Sequence, residues 1–517
     1  MALDFDRCDR SQLLLMPPSL QEWLPEDHLV WTVLGAVEQM DLVRFSEAYR
    51  LGGAGRPPYD PAVLVALLLY SYARGLRSSR QIERACFEDV AFKVITGMRC
   101  PDHSTIAEFR KRHETEIGGL FDEVLGLCRE AGLVSVGVIA IDGTKIKANA
   151  SMDSNRGYRQ IVGEILREAD ETDRAEDELY GDARGDELPE QLRTAEGRKQ
   201  ALADAKRRLE ERRGRPAAEQ PDEVDGDGAP GIELDRERFM TYNGGRRNWT
   251  REGRRELENQ RERERRPIPR DRDERLLDAA GRLEEDLQVE IIANRAYDQW
   301  RREGSTVYRG SRRSPGGPTN SWEPPVMPDG RINTTDPDSR MMRSQGTTIQ
   351  GYNAQAAVTA DQVIIAAEVT LDPGDFTHLE PMVDATRAQL ATVGITDPLG
   401  VIVADAGYWH TRQLHRLAES GVEVLVAPDG GARKGTRPGW NNGLYQQMRD
   451  KLQADPGRAL YRQRKTTIEP VFGQIKYNRH IDRFMRRGRS AARSEWRLTA
   501  ATHNLLKLHH HWIANTT

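Results

Sequence analysis

Two short apolar runs in this chain each end on an aspartate: Ile139-Ala140-Ile141 leads into Asp142, and Val401-Ile402-Val403-Ala404 leads into Asp405. Runs of this length, rich in β-branched residues and bounded by turn signals, predict buried strands. In open α/β sheets ligands bind at the carboxyl ends of strands, so the two carboxylates are placed to meet in one cleft. Around the second run the pattern continues. The stretches from Gln350 (QGYNAQAAVTA) and Val363 (VIIAAEVT) predict a hairpin turning at Asp361 and Gln362. Helices are predicted from His378 to Thr392 and from Thr411 to Ser420, and a last strand from Val422 (VEVLVAP). A β…β-β-α-β-α-β series of this kind predicts a mixed sheet covered by helices.

A third acid, Glu469, lies in KTTIEPVFGQIK. Ile468, Phe472 and Ile475 have the spacing of a buried helical stripe, and Glu469, Gly473 and Lys476 form the adjoining face. Three carboxylates drawn from two strands and a helix suit two Mg²⁺ ions, because hard cations take oxygen ligands and keep waters for substrate phosphates. Two such ions activate an attacking oxygen and stabilise a leaving one in phosphodiester chemistry. Each acid alone also has an ordinary reading. Asp142-Gly143 is a common turn pair, Asp405 is placed to cap a following helix, and Glu469 to complete a capping box with Thr466.

Composition divides the chain. Its 517 residues predict two or three domains. The first 130 residues read as short helices. Asp60-Pro61 is an N-cap followed by a first-turn proline, opening a helix through Tyr72; Ser78 with Gln81 and Thr105 with Glu108 are candidate capping boxes. Arg80, Arg84, Arg110, Lys111 and Arg112 fit a helix-turn-helix DNA reader and equally a plain bundle with surface arginines. Between Ile161 and Trp300, 66 of 140 residues are charged, far above the rest of the chain, which marks this block as an insertion. Within it RTAEGRKQALADAKRRLEERR predicts a solvated helix and EQPDEVDGDGAPG a disordered break.

Net charge is −5, which alone speaks against nucleic acid. From Arg458 to Thr517, however, 13 Lys or Arg face three acids, a candidate polyanion surface. The cysteines Cys8, Cys86, Cys100 and Cys128 lie far apart, against a zinc site or a disulfide framework. The longest apolar stretch, from Val63 to Ala73, is too short to span a membrane, and the start of the chain carries no secretory signal, so a cytoplasmic protein is expected.

The strings DGTKIKANAS, ADAGYW and YRQRKTTIEPVFGQIK, in this order, resemble the three acidic motifs of the DDE (Asp-Asp-Glu) transposases of bacterial insertion sequences. More closely, the chain is similar to the broad group related to insertion sequences four and five. The signature of that group is Tyr, two residues, Arg, three residues, Glu, six residues, Lys. Tyr461 and Arg464 keep the first spacing and Glu469 and Lys476 the last, but four residues separate Arg464 from Glu469, and Lys465 satisfies the shorter gap. GGAGRPPYDPAVLVALLLYSYARGLRSSRQIE and PDHSTIAEFRKRH resemble the helical N-terminal domain of these enzymes, and INTTDPDSRMM and IQGYNAQAAV the segments leading into their second and third strands.

The resemblance implies a ribonuclease H-like mixed-sheet catalytic core (131–160 and 336–517), a helical N-terminal domain for DNA binding or dimerisation (1–130) and a charged, mostly helical insertion (161–335). It implies Asp142, Asp405 and Glu469 as catalytic metal ligands for two Mg²⁺, with Mn²⁺ substituting. Tyr461, Arg464 and Lys476, and less directly Lys145 and Lys147, are implied to contact DNA. The implied activity is cut-and-paste transposition, with strand cleavage at transposon ends and transfer into target DNA, by a nucleoid-associated homodimer on paired ends. The rival readings are a structure-specific nuclease of the same fold class and a DNA-binding relic or repressor. Asp336 and Asp338, just before a core strand, are read as structural more readily than functional.

Overall fold

The computed structural model of the chain describes residues 19–47, 49, 58–167, 246–264, 266–302, 322–344, 346–429 and 443–516. The expected helix and break between residues 193 and 231 therefore lie outside the described residues, as does Cys8.

The sheet is built on β1 (Val138–Lys147). On one side β1 pairs in parallel with β7 (Val401–Ala404), which pairs in parallel with β8 (Glu423–Val426). On the other side it pairs antiparallel with β5 (Thr347–Thr359), whose far edge is shared by β4 (Arg340–Ser344) and β6 (Ile364–Thr370). The order is β4-β5-β1-β7-β8 with β6 beside β5. β5 is buried along most of its length and β1 from Ile139 to Ile141, where helices cover the sheet. A separate two-stranded ribbon joins β2 (Asn155–Gly157) to β3 (Arg331–Asn333) at the base of the insertion.

The mixed sheet, the hairpin and the order of helices and strands follow the sequence expectation. Asp142-Gly143 does not. It is strand interior rather than a turn, because β1 continues to Lys147 with every residue paired to β5.

Among the described residues seven α-helices precede β1. Asp60 caps the helix Pro61–Ala73 by accepting from the Ala62 N–H, as expected. Ser78 precedes the helix Ser79–Glu88 but its side chain makes no cap bond. The next cap is Asp102 rather than Thr105, since the Thr105 N–H donates to Asp102 Oδ1 and Thr105 lies inside the helix His103–Arg112. Arg110 is buried and donates to Arg77 O and Tyr72 Oη, so it is a structural residue and not a DNA reader.

The last helix, Arg489–Thr516, fastens these helices to the sheet. Against the helix Glu114–Glu130, Ser494 Oγ donates to Glu114 O and Arg497 Nε to Gly118 O. Against the sheet, the Asn504 amide exchanges two bonds with the backbone of Ile364, and Trp496 Nε1 donates to Gln355 O. Much of the basic C-terminal charge is consumed here. Arg486 pairs with Glu114, Arg489 with Glu262, Arg493 with Glu368 and Arg497 with Asp122. Arg462, Lys465, Arg483 and Arg487 remain exposed.

The described part of the insertion is dominated by the helices Arg246–Glu264 and Arg272–Arg302. They are not merely solvated. Leu276, Ala279, Ala280 and Leu283 form a small core with Ile161, Val162, Ile165 and Ile332.

Candidate active site

Parallel pairing of β1 and β7 ends at Ile141 and Ala404, so Asp142 and Asp405 follow on the next rung, where the two strands part. Asp405 turns at once into a short 3₁₀ segment, Ala406–Tyr408, and accepts from the Gly407 N–H at 2.7 Å. Its capping role is thus real, and it coexists with a place beside Asp142. Burial, then the charge of Asp405 and that of Asp375, raise the Asp142 carboxyl to about 7, against the opposing pull of the Gly143 N–H and Arg464.

Glu469 lies on the helix Gly457–Gly473. Ile468, Val471 and Ile475 are buried against the sheet and Phe472 only partly, so the buried stripe uses Val471 more fully than the expected Phe472. Pro470 deprives the helix of one N–H, and the Thr466 carbonyl it would have met accepts from Gln362 Nε2 instead. Thr466 and Glu469 are both inside the helix, so they form no capping box. After Gly473 the backbone widens into a π-turn, Gln474–Asn478. Lys476 therefore lies off the simple helical face expected for it. Its Nζ donates to Thr144 Oγ1 and Lys145 O, and burial beside Lys147 and Lys145 lowers its pKa.

Arg464 stands between the acids. One guanidinium nitrogen is 3.1 Å from Asp142 Oδ2 and the other 3.6 Å from Glu469 Oε1. Lys465 is exposed, so Arg464 and not Lys465 is the cation at these carboxylates. Tyr461, one turn before, sits beside Arg464 and Asp405, and burial raises its hydroxyl pKa. Lys147 pairs with Asp482 at 3.0 Å on the surface, while Lys145 is held by Asp375 at 3.3 Å. The structure thus gathers Asp142, Asp405, Glu469, Tyr461 and Arg464, adds Lys476 and Lys145 along β1, and places Lys147 at its far end.

Four residues absent from the sequence reading stand behind the site: Asn353, Gln355, Asp375 and Tyr408. Asn353 Nδ2 and Gln355 Nε2 each donate to Asp375 Oδ1 at 2.8 Å, and Tyr408 Oη donates to Gln355 Oε1. The available signal was a pair of amides two residues apart in an otherwise apolar strand. Asp336 and Asp338 are structural brackets. Asp336 accepts from Tyr352 Oη and the Gly488 N–H, and Asp338 pairs with Arg282 and accepts from the Arg489 N–H.

Residues 18–112 match the family described as Transposase domain (DUF772), and residues 329–505 match the Transposase DDE domain. Together they take in more than half of the chain, and the second contains Asp405, Glu469 and the strands from β3 to β8. The chain belongs to the DDE transposases. It is a DNA transposase, an enzyme that cleaves DNA and transfers strands, and its mixed sheet is the ribonuclease H-like core of that family behind a helical N-terminal region. The transposase accordingly binds transposon DNA, and enzymes of its family work with divalent metal ions. No curated protein and no solved structure matches the chain. None of the described helices is long and apolar enough to cross a membrane.

The residues fit such ions in kind. Asp142 and Asp405 offer oxygen donors side by side, and Arg464 shows that a cation is already drawn between Asp142 and Glu469. Among the described residues no three ligating side chains are closed around one point, because Glu469 stands off on the far side of Arg464.

Proposed function

We propose that Asp142, Asp405 and Glu469 are the catalytic acids of a cut-and-paste transposase and that they hold two Mg²⁺ ions, replaceable by Mn²⁺. The observation that carries this reading is the shared rung of Asp142 and Asp405 with Glu469 linked to it through Arg464. The ions supply an activated water or 3′-hydroxyl nucleophile and neutralise charge on the scissile phosphate.

The chain's own residues do the rest. Arg464 leaves the two acids for a phosphate of the transposon end when DNA arrives, exchanging one pair of oxygens for another and freeing Asp142 and Glu469. Tyr461 and Lys476 hold the strand on either side of it, and Lys147 extends the contact at the end of β1, while Lys145, the other lysine expected there, is engaged by Asp375. No covalent protein intermediate is required, so the acids position and the cations stabilise.

The same reading assigns 1–130 to DNA binding or dimerisation, 131–160 with 336–517 to catalysis and 161–335 to an insertion. It places the enzyme as a homodimer on paired ends in the nucleoid, within the group related to insertion sequences four and five, whose signature Tyr461, Arg464, Glu469 and Lys476 follow apart from one extra residue between Arg464 and Glu469. A strand-transfer assay with a pre-cut end and supercoiled target tests it. Joined products that disappear in Glu469→Gln, with end binding retained, are expected. Cleavage without any joining would leave a nuclease, and loss of binding in parallel with cleavage would remove Glu469 from the metal site.

A further inference from the structure

Asp375 lies in the loop after β6, on the opposite face of β1 from Asp142. Side chains alternate along a strand, so Gly143 and Lys145 point away from Asp142 toward this loop. Gly143 leaves a gap there. A Cβ at that position would lie 2.6 Å from Asp375 Oδ1, 2.3 Å from Gln355 Nε2 and 2.8 Å from Asn353 Oδ1. Gly407 borders the same carboxylate, since its Cβ would lie 2.9 Å from Asp405 Oδ1 and, in ordinary contact, 3.6 Å from Asp375 Oδ2. The residue after one expected catalytic aspartate thus makes room for Asp375, and the second residue after the other lies against it.

That carboxylate is firmly oriented. Asn353, Gln355 and Lys145 all donate to Oδ1, and Tyr408, three residues past Asp405, is tied to Gln355. Asp375 is only 19% exposed and Lys145 13%, so this is a built site and not a surface pairing. Oδ2 is the oxygen turned toward Gly407 and the Asp405 turn. A structural bracket for β5 needs no such approach to the Asp405 turn.

We propose that Asp375 is a fourth acid of the active site, a positioning residue that holds the Asp142 and Asp405 segments at cation-binding spacing and adds its charge to theirs, with Lys145 as its counter-ion. This rests on the reading that Asp142 and Asp405 bind divalent metal. Oxygen-rich sites gain affinity from charge and from groups that orient the ligands, and removal of one such partner lowers metal affinity about 10–100-fold.

The test is Mn²⁺ binding to the DNA-free protein by electron paramagnetic resonance, with Mg²⁺ titration of end cleavage alongside. Asp375→Asn should weaken Mn²⁺ binding at least tenfold and raise the Mg²⁺ needed for half-maximal cleavage equally, while the rate at saturating metal largely recovers. Lys145→Met should act in the opposite sense and tighten Mn²⁺, because it removes a competing positive charge. If Asp375→Asn does not fold, Lys145→Met decides alone, and weakened or unchanged Mn²⁺ binding overturns the proposal. Unchanged affinity in Asp375→Asn while Asp142→Asn loses it also overturns the role of Asp375. Unchanged affinity in Asp142→Asn would instead defeat the metal-site reading beneath it.

Discussion

Arg464 carries the largest single burden in the site, since it neutralises Asp142 and reaches Glu469 while only 13% exposed. A lysine offers one point charge where the guanidinium offers a fork, so Arg464→Lys should slow single-turnover end cleavage about 10–100-fold. A rate within twofold of wild type would show that the fork is not used. Asp336 provides a test of pH dependence away from the metal site. Its carboxyl is fully buried, Oδ2 has no partner among the described residues, and burial raises its pKa to about 6. A folded-state value above the unfolded one means that the native protein binds the extra proton. This contribution is therefore greatest below about pH 4 and is lost as pH rises to about 6. Asp336→Asn keeps an acceptor for Tyr352 Oη and should flatten that slope, gaining about 1–3 kcal/mol at pH 7.5 in urea unfolding. A variant less stable than wild type at that pH would contradict the assignment. Cys86 and Cys128, with thiols pushed up to about 12 by burial, should resist iodoacetamide at pH 8 until the protein unfolds.

Elements differ in how far the sequence announces them. β1 and β5 to β8 were legible because each carries a buried, β-branched or small apolar stretch bounded by turn signals. β2 to β4 were not, since Asn155-Arg156-Gly157 and Arg340-Met341 have no strand pattern of their own and are strands only through their partners. The extent of β1 was misjudged for a related reason. Asp142-Gly143 has the local preference of a turn, but pairing with β5 overrides it and places the aspartate inside a strand, held by the ladder on that side. Asp142 and Asp405 were singled out because each follows an apolar run, and Glu469 because it adjoins a buried helical stripe, with the motif resemblance joining the three. Asp375 lies in an irregular loop and acquires meaning only from the space left at Gly143 and its contact with Gly407. Gly143→Ala measures how tight that arrangement is. Its Cβ meets strand-borne and hydrogen-bonded atoms that have little freedom to give way, so a loss of at least 2 kcal/mol and of cleavage is expected. Unaltered stability with full activity would mean that the loop of Asp375 yields easily.

The whole molecule is laced together by charge as much as by its apolar core. The insertion helices meet the catalytic sheet through Arg282 with Asp338, Arg340 with Glu258, and Arg489 with Glu262. Arg282, 2% exposed, also holds Asp278. The high charge of residues 161–300 therefore reflects, in its described part, buried pairing against the core, which composition alone could not distinguish from a solvated surface. Arg282→Met leaves two buried acids without their cation and should cost about 3–5 kcal/mol, detectable as proteolysis within the insertion ahead of the core. Equal protease resistance in variant and wild type would show that the insertion does not depend on this pair. All of these contacts lead to one geometry, two aspartates on a shared rung with a glutamate across Arg464, and that geometry is tested most directly by cleavage. DNA carrying the gene's own flanking sequences is incubated with the protein and Mg²⁺ or Mn²⁺ and resolved on a denaturing gel, with Glu469→Ala alongside. Discrete metal-dependent nicks at both borders, absent from the variant, are the expected result. Binding without any metal-dependent cut, or cutting that survives Glu469→Ala, would contradict the account.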